Sequence, residues 1–118
     1  MNVSKMTTAD GVTYLVEEHD NGTRVELKVA PILIYDPQPE QVPVGTTIEI
    51  AMHAQDFDGE LRGDVNRPVT FYVSGTPVDA DIVDGALTLS IEFAARGKHL
   101  IRVVPSEINM EPFMVEVV

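Results

Sequence analysis

From Ala86 to Phe93 the chain alternates without a break. Leu87, Leu89, Ile91 and Phe93 fall on one side, and Thr88, Ser90 and Glu92 on the other. A period of two is the signature of a strand with one face buried. The same period recurs along the chain. Ile48, Ile50, Met52 and Ala54 alternate with Thr47, Glu49, Ala51 and His53; Val69, Phe71 and Val73 alternate with Thr70 and Tyr72; Val25, Leu27 and Val29 alternate with Arg24, Glu26 and Lys28. No stretch sustains a 3.6-residue period. The best helical candidate, Glu92 to Lys98, is short and contains Gly97. A chain of 118 residues patterned in this way is expected to form one all-β domain.

Turn residues separate the alternating runs. Asp20-Asn21-Gly22 lies between Val12–Val16 and Arg24–Val29, and Asn-Gly is a preferred hairpin pair because both positions tolerate positive φ. Pro31, Pro37, Pro39 and Pro43 then cluster, so Ile32 to Tyr35 is expected as an edge strand followed by an extended crossing. Pro43-Val44-Gly45 is read as a turn, residues 56–67 as a polar loop, Gly75-Thr76-Pro77 and Asp84-Gly85 as turns, and Pro105 to Pro112 as a loop. Seven to eight short strands at this spacing indicate a sandwich or barrel. The expected organisation is a polar N-terminal segment over residues 1–12, a β-hairpin over 13–29 and a sandwich over 31–118, forming one compact unit. The expected core comprises Ile48, Ile50, Met52, Phe71, Val73, Leu87, Leu89, Ile91, Phe93, Ile101, Val103, Phe113 and Val115.

Several segments carry a resemblance. Val42-Pro43-Val44-Gly45-Thr46-Thr47-Ile48-Glu49-Ile50 is similar to the turn and strand that open an immunoglobulin-like domain. Pro68 to Gly75 resembles its third strand and turn, Gly85 to Leu89 the strand before the return, Gly97 to Val103 the penultimate strand, and Phe113 to Val117 the closing strand. From about Pro31 to Val118 the chain therefore looks like an immunoglobulin-like antiparallel β-sandwich of the kind found in bacterial surface and tailed-phage proteins. The antibody-type cysteine pair and core tryptophan are missing, and His99 stands where tyrosine is more usual. The resemblance implies architecture, since this fold hosts many functions.

Composition narrows the function classes. The 19 acidic and 8 basic residues leave a net charge of −11, which argues against nucleic acid and anionic membranes as partners. Residues 1–30 hold 3 basic and 5 acidic side chains, or −2, so the sandwich carries the remaining −9. With no cysteine there is no disulfide framework, thiol catalysis or cysteine-ligated metal. The polar start lacks the apolar run of a secretion signal, and Ile32 to Tyr35 is far short of a bilayer span. The expected location is cytoplasmic as synthesised, including a virion component assembled there, and extracellular only if a signal was removed. No nucleophile elbow, phosphate-cradling glycine loop or zinc-protease helix is present, so no enzyme activity is expected.

The candidate sites are few. Asp56, Asp58 and Glu60, with Gly59 among them, can offer oxygen ligands to calcium; a solvated turn is the plainer reading. Asp79, Asp81 and Asp84 form a second acidic patch. Arg62-Gly63-Asp64 matches an integrin-binding tripeptide, though three residues recur often by chance. His19 and His53 are expected to be exposed, and His99 to face inward in a hydrogen-bonded structural role. Tyr14, Tyr35 and Tyr72 are the available aromatic platforms for a carbohydrate. The function expected is a non-enzymatic structural, assembly or protein-interaction module of the phage virion type, with a protein partner or self-association. The alternative is a cell-surface adhesion or carbohydrate-binding module, with calcium in its acidic loops.

Overall fold

The computed structural model describes residues 1–9, 11–104 and 108–118. Among the described residues there are twelve strands and no helix. They are β1 (Asn2–Thr7), β2 (Thr13–Glu18), β3 (Arg24–Val29), β4 (Ile32–Tyr35), β5 (Gln41–Val42), β6 (Thr47–Gln55), β7 (Arg67–Val73), β8 (Thr76–Ile82), β9 (Ala86–Glu92), β10 (Gly97–Val103), β11 (Asn109–Met110) and β12 (Phe113–Val117). They form three sheets, ordered β1-β2-β3, β5-β12-β10-β7-β8 and β11-β4-β6-β9.

The second and third sheets form an immunoglobulin-like sandwich. Their inner faces meet in one core that includes Leu33, Ile50, Met52, Leu89 and Ile91 from one sheet and Phe71, Ile101, Val103 and Val115 from the other. Strand β9 shows how the pattern acts: Leu87, Leu89 and Ile91 are buried while Ala86, Thr88, Ser90 and Glu92 are exposed. Each large side chain withdrawn in this way contributes about 1.5–3 kcal/mol. Of the expected core, Ile48, Val73 and Phe113 are only partly buried and pack against its margin.

Four expectations need correction. The sandwich has nine strands among the described residues, because β5 and β11 are two-residue pairings too short to alternate. Both pair parallel, β5 with β12 and β11 with β4, so the sandwich is not antiparallel throughout. Strand β4 is second from its edge, with β11 beside it. The expected loop from Pro105 to Pro112 begins with residues 105–107, which lie outside the described residues, and its remainder delivers Ile108 and Met110 to the core.

The hairpins follow their turn chemistry. Ser74 and Gly75 have φ of 50° and 82°, and Asp84 and Gly85 have φ of 51° and 76°. Two successive left-handed residues match the twist of the strands they join, β7–β8 and β8–β9. The β2–β3 connection differs from the expected two-residue turn, since only Gly22 is left-handed, at 86°. The His19 N–H donates to Thr23 O at 2.8 Å, leaving a three-residue loop, and the Thr23 N–H donates to Asn21 Oδ1 at 3.0 Å. A wider loop with one left-handed glycine is the next commonest solution.

The N-terminal region is more ordered than the sequence pattern indicates. Strand β1 pairs with β2 from Asn2↔Glu18 to Thr7↔Thr13, so the expected hairpin is the inner part of a three-stranded sheet. Residues 1–12 were expected as a polar segment because an edge strand without a core to cover needs no apolar face; residue 10 lies outside the described residues. No strand of this sheet packs on a strand of the sandwich among the described residues. The sheet projects as an arm. The molecule measures 59 × 25 × 21 Å with a radius of gyration of 17.4 Å, against about 13–14 Å for a compact chain of this length.

Candidate functional site

Arm and sandwich meet at a charged junction built on the turn after β6. The Asp56 N–H donates to Glu60 O at 2.8 Å and the Gly59 N–H to Asp56 O at 2.9 Å, closing the turn. The Arg62 N–H then donates back to Ala54 O at 2.9 Å. Asp56, Asp58 and Glu60 therefore converge, and they converge on Lys5 of β1. The Lys5 Nζ lies 3.1 Å from Asp56, 3.0 Å from Asp58 and 2.7 Å from Glu60. The geometry places an ammonium of the chain itself among the carboxylates that the sequence reading offered as calcium candidates. Among the described residues, no group of three or more histidine, aspartate or glutamate side chains is arranged to hold a metal ion.

Arg62 completes the junction. Its Nη1 donates to Thr13 Oγ1 at 2.6 Å and to Asp56 Oδ1 at 2.9 Å, and its Nη2 to Gly11 O at 2.7 Å and Asp64 Oδ2 at 2.9 Å. The Nε donates to Asp64 Oδ1 at 2.8 Å, making the Asp64 pair bidentate. Arg62, Asp56 and Thr13 are only 5%, 2% and 2% exposed. Such a fork can fix two partners in one plane, which a lysine cannot do. The Arg62-Gly63-Asp64 tripeptide is not presented as a free motif: its arginine is turned inward and bound from both sides.

The charges reinforce one another. Hydrogen bonding to Lys5 holds the Asp58 carboxyl below the usual carboxylate range, and bonding to Arg62 does the same for Asp64. Lys5 is pushed up by Glu60 and Asp58, and Arg62 by Asp64. Ion-paired, low-pKa carboxylates keep their charge and are poorly suited to proton transfer near neutrality.

The remaining candidates separate. Asp84 comes near the junction, where the Gly85 N–H donates to Val65 O at 2.9 Å, whereas Asp79 accepts from Thr70 Oγ1 at 2.8 Å on edge strand β8. His99 is half-buried, its Nδ1 2.6 Å from Ser74 Oγ and its Nε2 2.7 Å from Ala95 O, with the ring edge-on to Phe93 at 5.4 Å. His53 is exposed, and half-exposed His19 lies 3.5 Å from Glu17. The tyrosines do not form a common platform. The Tyr35 hydroxyl donates to Glu111 O at 2.7 Å, and burial raises its pKa. Tyr72 lies under the Arg102 guanidinium at 4.5 Å.

The arm extends the apolar face that the sequence shows in Val25, Leu27 and Val29. Its register places Val3, Leu15, Val25, Leu27 and Val29 on one face. Val3 and Leu27 are 55% and 50% exposed. Val29 also borders an apolar groove of about 740 Å³ at the base of the arm, lined further by Ile32, Ile34, Tyr35 and Met110. Lys5 and Thr13 are the junction residues sequence reasoning missed. Their partners lie 51 and 43 positions away, beyond any local pattern.

No protein-family model and no curated protein sequence matches the chain. Among solved structures it resembles part of a β-glucosidase from Listeria innocua, in its complexes with glucose (TM-score 0.50) and isofagomine (TM-score 0.49), at 13% identity. The match covers 79% of this chain and 17% of the enzyme, so the chain spans about a sixth of that protein's length. It also resembles the fibronectin(III)-like modules of CbhA from Clostridium thermocellum, with a TM-score of 0.44 and 18% identity over 99% of this chain and 63% of that one. At these identities the likeness concerns the fold alone.

Proposed function

We propose that this chain is a non-enzymatic assembly module, of the kind a tailed-phage virion or bacterial surface structure uses, whose arm engages a neighbouring protein subunit. One observation carries the reading. On the arm's apolar face Val3 and Leu27 stay about half exposed beyond the junction, where Lys5 and Thr13 of that same face are held by Asp56, Asp58, Glu60 and Arg62. An anchored arm that leaves part of its apolar face exposed suits contact with a second protein. The −9 charge of the sandwich favours a partner surface with basic groups.

Light scattering at about 10–100 µM, the concentration range of weak assembly, tests the reading on the full chain. Val3→Lys combined with Leu27→Lys is expected to abolish any species larger than a dimer formed by the native chain. A native chain that never exceeds a dimer, alone or with its co-purified partners, would count against the arm.

A further inference from the structure

We infer that strand β9 is a self-association edge, through which two copies of this chain join their β11-β4-β6-β9 sheets antiparallel about a two-fold axis at Ser90. This goes beyond the arm proposal and uses a separate surface.

The phase of the backbone comes first. The Phe93 N–H donates to Thr46 O at 2.9 Å, and Ala54 N–H donates to Gly85 O at 2.7 Å. Because backbone groups alternate sides along a strand, odd-numbered residues of β9 bond to β6, in register Ile48↔Ile91, Ile50↔Leu89 and Met52↔Leu87. The even-numbered residues point their N–H and C=O groups away. Ala86 uses both on Val83, at 3.0 and 3.1 Å. Thr88, Ser90 and Glu92 remain, exposed and with no backbone partner on that side among the described residues.

Native edges are usually guarded by charge, proline, bulges or brevity. The other free edges of the sandwich fit that rule. Strand β8 carries Pro77, Asp79 and Asp81, and β5 and β11 are two residues each; on the arm, β3 carries Arg24, Glu26 and Lys28. Strand β9 is seven residues, pairs with β6 without a bulge, and has no proline and no charge before Glu92.

Its sequence is also self-complementary, which identifies the occupant as a second copy. With the axis at Ser90, Ser90 meets Ser90 and Thr88 meets Glu92 of the second copy, so every free N–H and C=O of these three residues finds a partner. Glu92 faces a threonine and never another glutamate. Beneath them Leu89 meets Ile91 of the second copy, extending the apolar row of the core.

Sedimentation of the intact chain over about 1–200 µM is expected to show a monomer–dimer equilibrium. Ser90→Pro removes an outward N–H and leaves the bonds to β6 in place, so it is expected to give a folded monomer. Thr88→Lys, which guards the edge with charge, is expected to weaken the dimer at least tenfold and stands in if the proline variant misfolds. Amide exchange at Thr88, Ser90 and Glu92 is expected to slow with increasing concentration. Val3→Lys with Leu27→Lys on the arm is expected to leave the dimer intact, which separates this edge from the arm. A strict monomer at 200 µM, a dimer that survives both β9 variants, or a dimer lost through the arm variants overturns the inference.

Discussion

Arg62 decides how the junction responds to change. It and Asp56 are both buried, and Asp56 takes Arg62 on one oxygen and Lys5 on the other. Arg62→Ala would leave the buried carboxylate with Lys5 as its remaining cation and Thr13 and Gly11 without their donor; breaking a buried pair from one side costs about 3–5 kcal/mol. Denaturant unfolding is expected to show a loss of that size, and Arg62→Lys to recover only part of it, because one ammonium cannot reproduce the fork. The pH response follows from the shifts. Asp58 and Asp64 titrate lower when folded, so their contribution is present above the unfolded value of about 3.9 and is lost as pH falls through the lower folded value. Lys5 titrates higher when folded, so its contribution is present below about 10.4 and is lost only as pH rises beyond that. Amide exchange in β1 is therefore expected to stay protected from about pH 5 to 9 and to rise steeply below about pH 4. Loss of protection near pH 6 would show that the junction depends on some other group.

At the scale of elements, the turns separate two uses of glycine. Gly75 has open space where a side chain would stand, whereas a methyl on Gly85 would run into the Arg62 carbonyl. Both residues are left-handed. Gly75→Ala is expected to cost about 1 kcal/mol from backbone strain alone, and Gly85→Ala clearly more, with the junction disturbed as well; paired thermal melts check the order. Strands β6 and β9 were legible in the sequence because each buries one face, and burial writes a period of two into the residues. Strands β1, β5 and β11 were not, since a short or two-sidedly solvated strand can be polar throughout. Asp56, Asp58 and Glu60 were legible as a converging set. Their cation was not, because the pairing with Lys5 spans about half the chain and leaves no local trace. The burial of Arg62 was hidden for a related reason: it lies in a stretch read as a polar loop, while its partners Thr13 and Gly11 come from the arm.

For the molecule as a whole, the arm sets the shape. Small-angle scattering from monomeric material at neutral pH is expected to return a radius of gyration near 17.4 Å and a longest dimension near 59 Å. A radius of about 13–14 Å would mean that the arm lies folded on the sandwich. The elongated form also gives the junction a mechanical meaning. The arm joins the sandwich through one backbone crossing at Ala30 and Pro31 and through the side-chain contacts of Lys5 and Arg62. A load applied at the far loop, Asp20 to Gly22, reaches the sandwich as a torque about that crossing, and the ion pairs are the struts that resist it. The three Lys5 contacts sit on a partly exposed side chain and yield first; the buried Arg62 fork yields last. The chain thus contains a lever with a graded stop, stiff under small deflection, looser once the outer strut has let go, and free to swing only when the inner fork has followed.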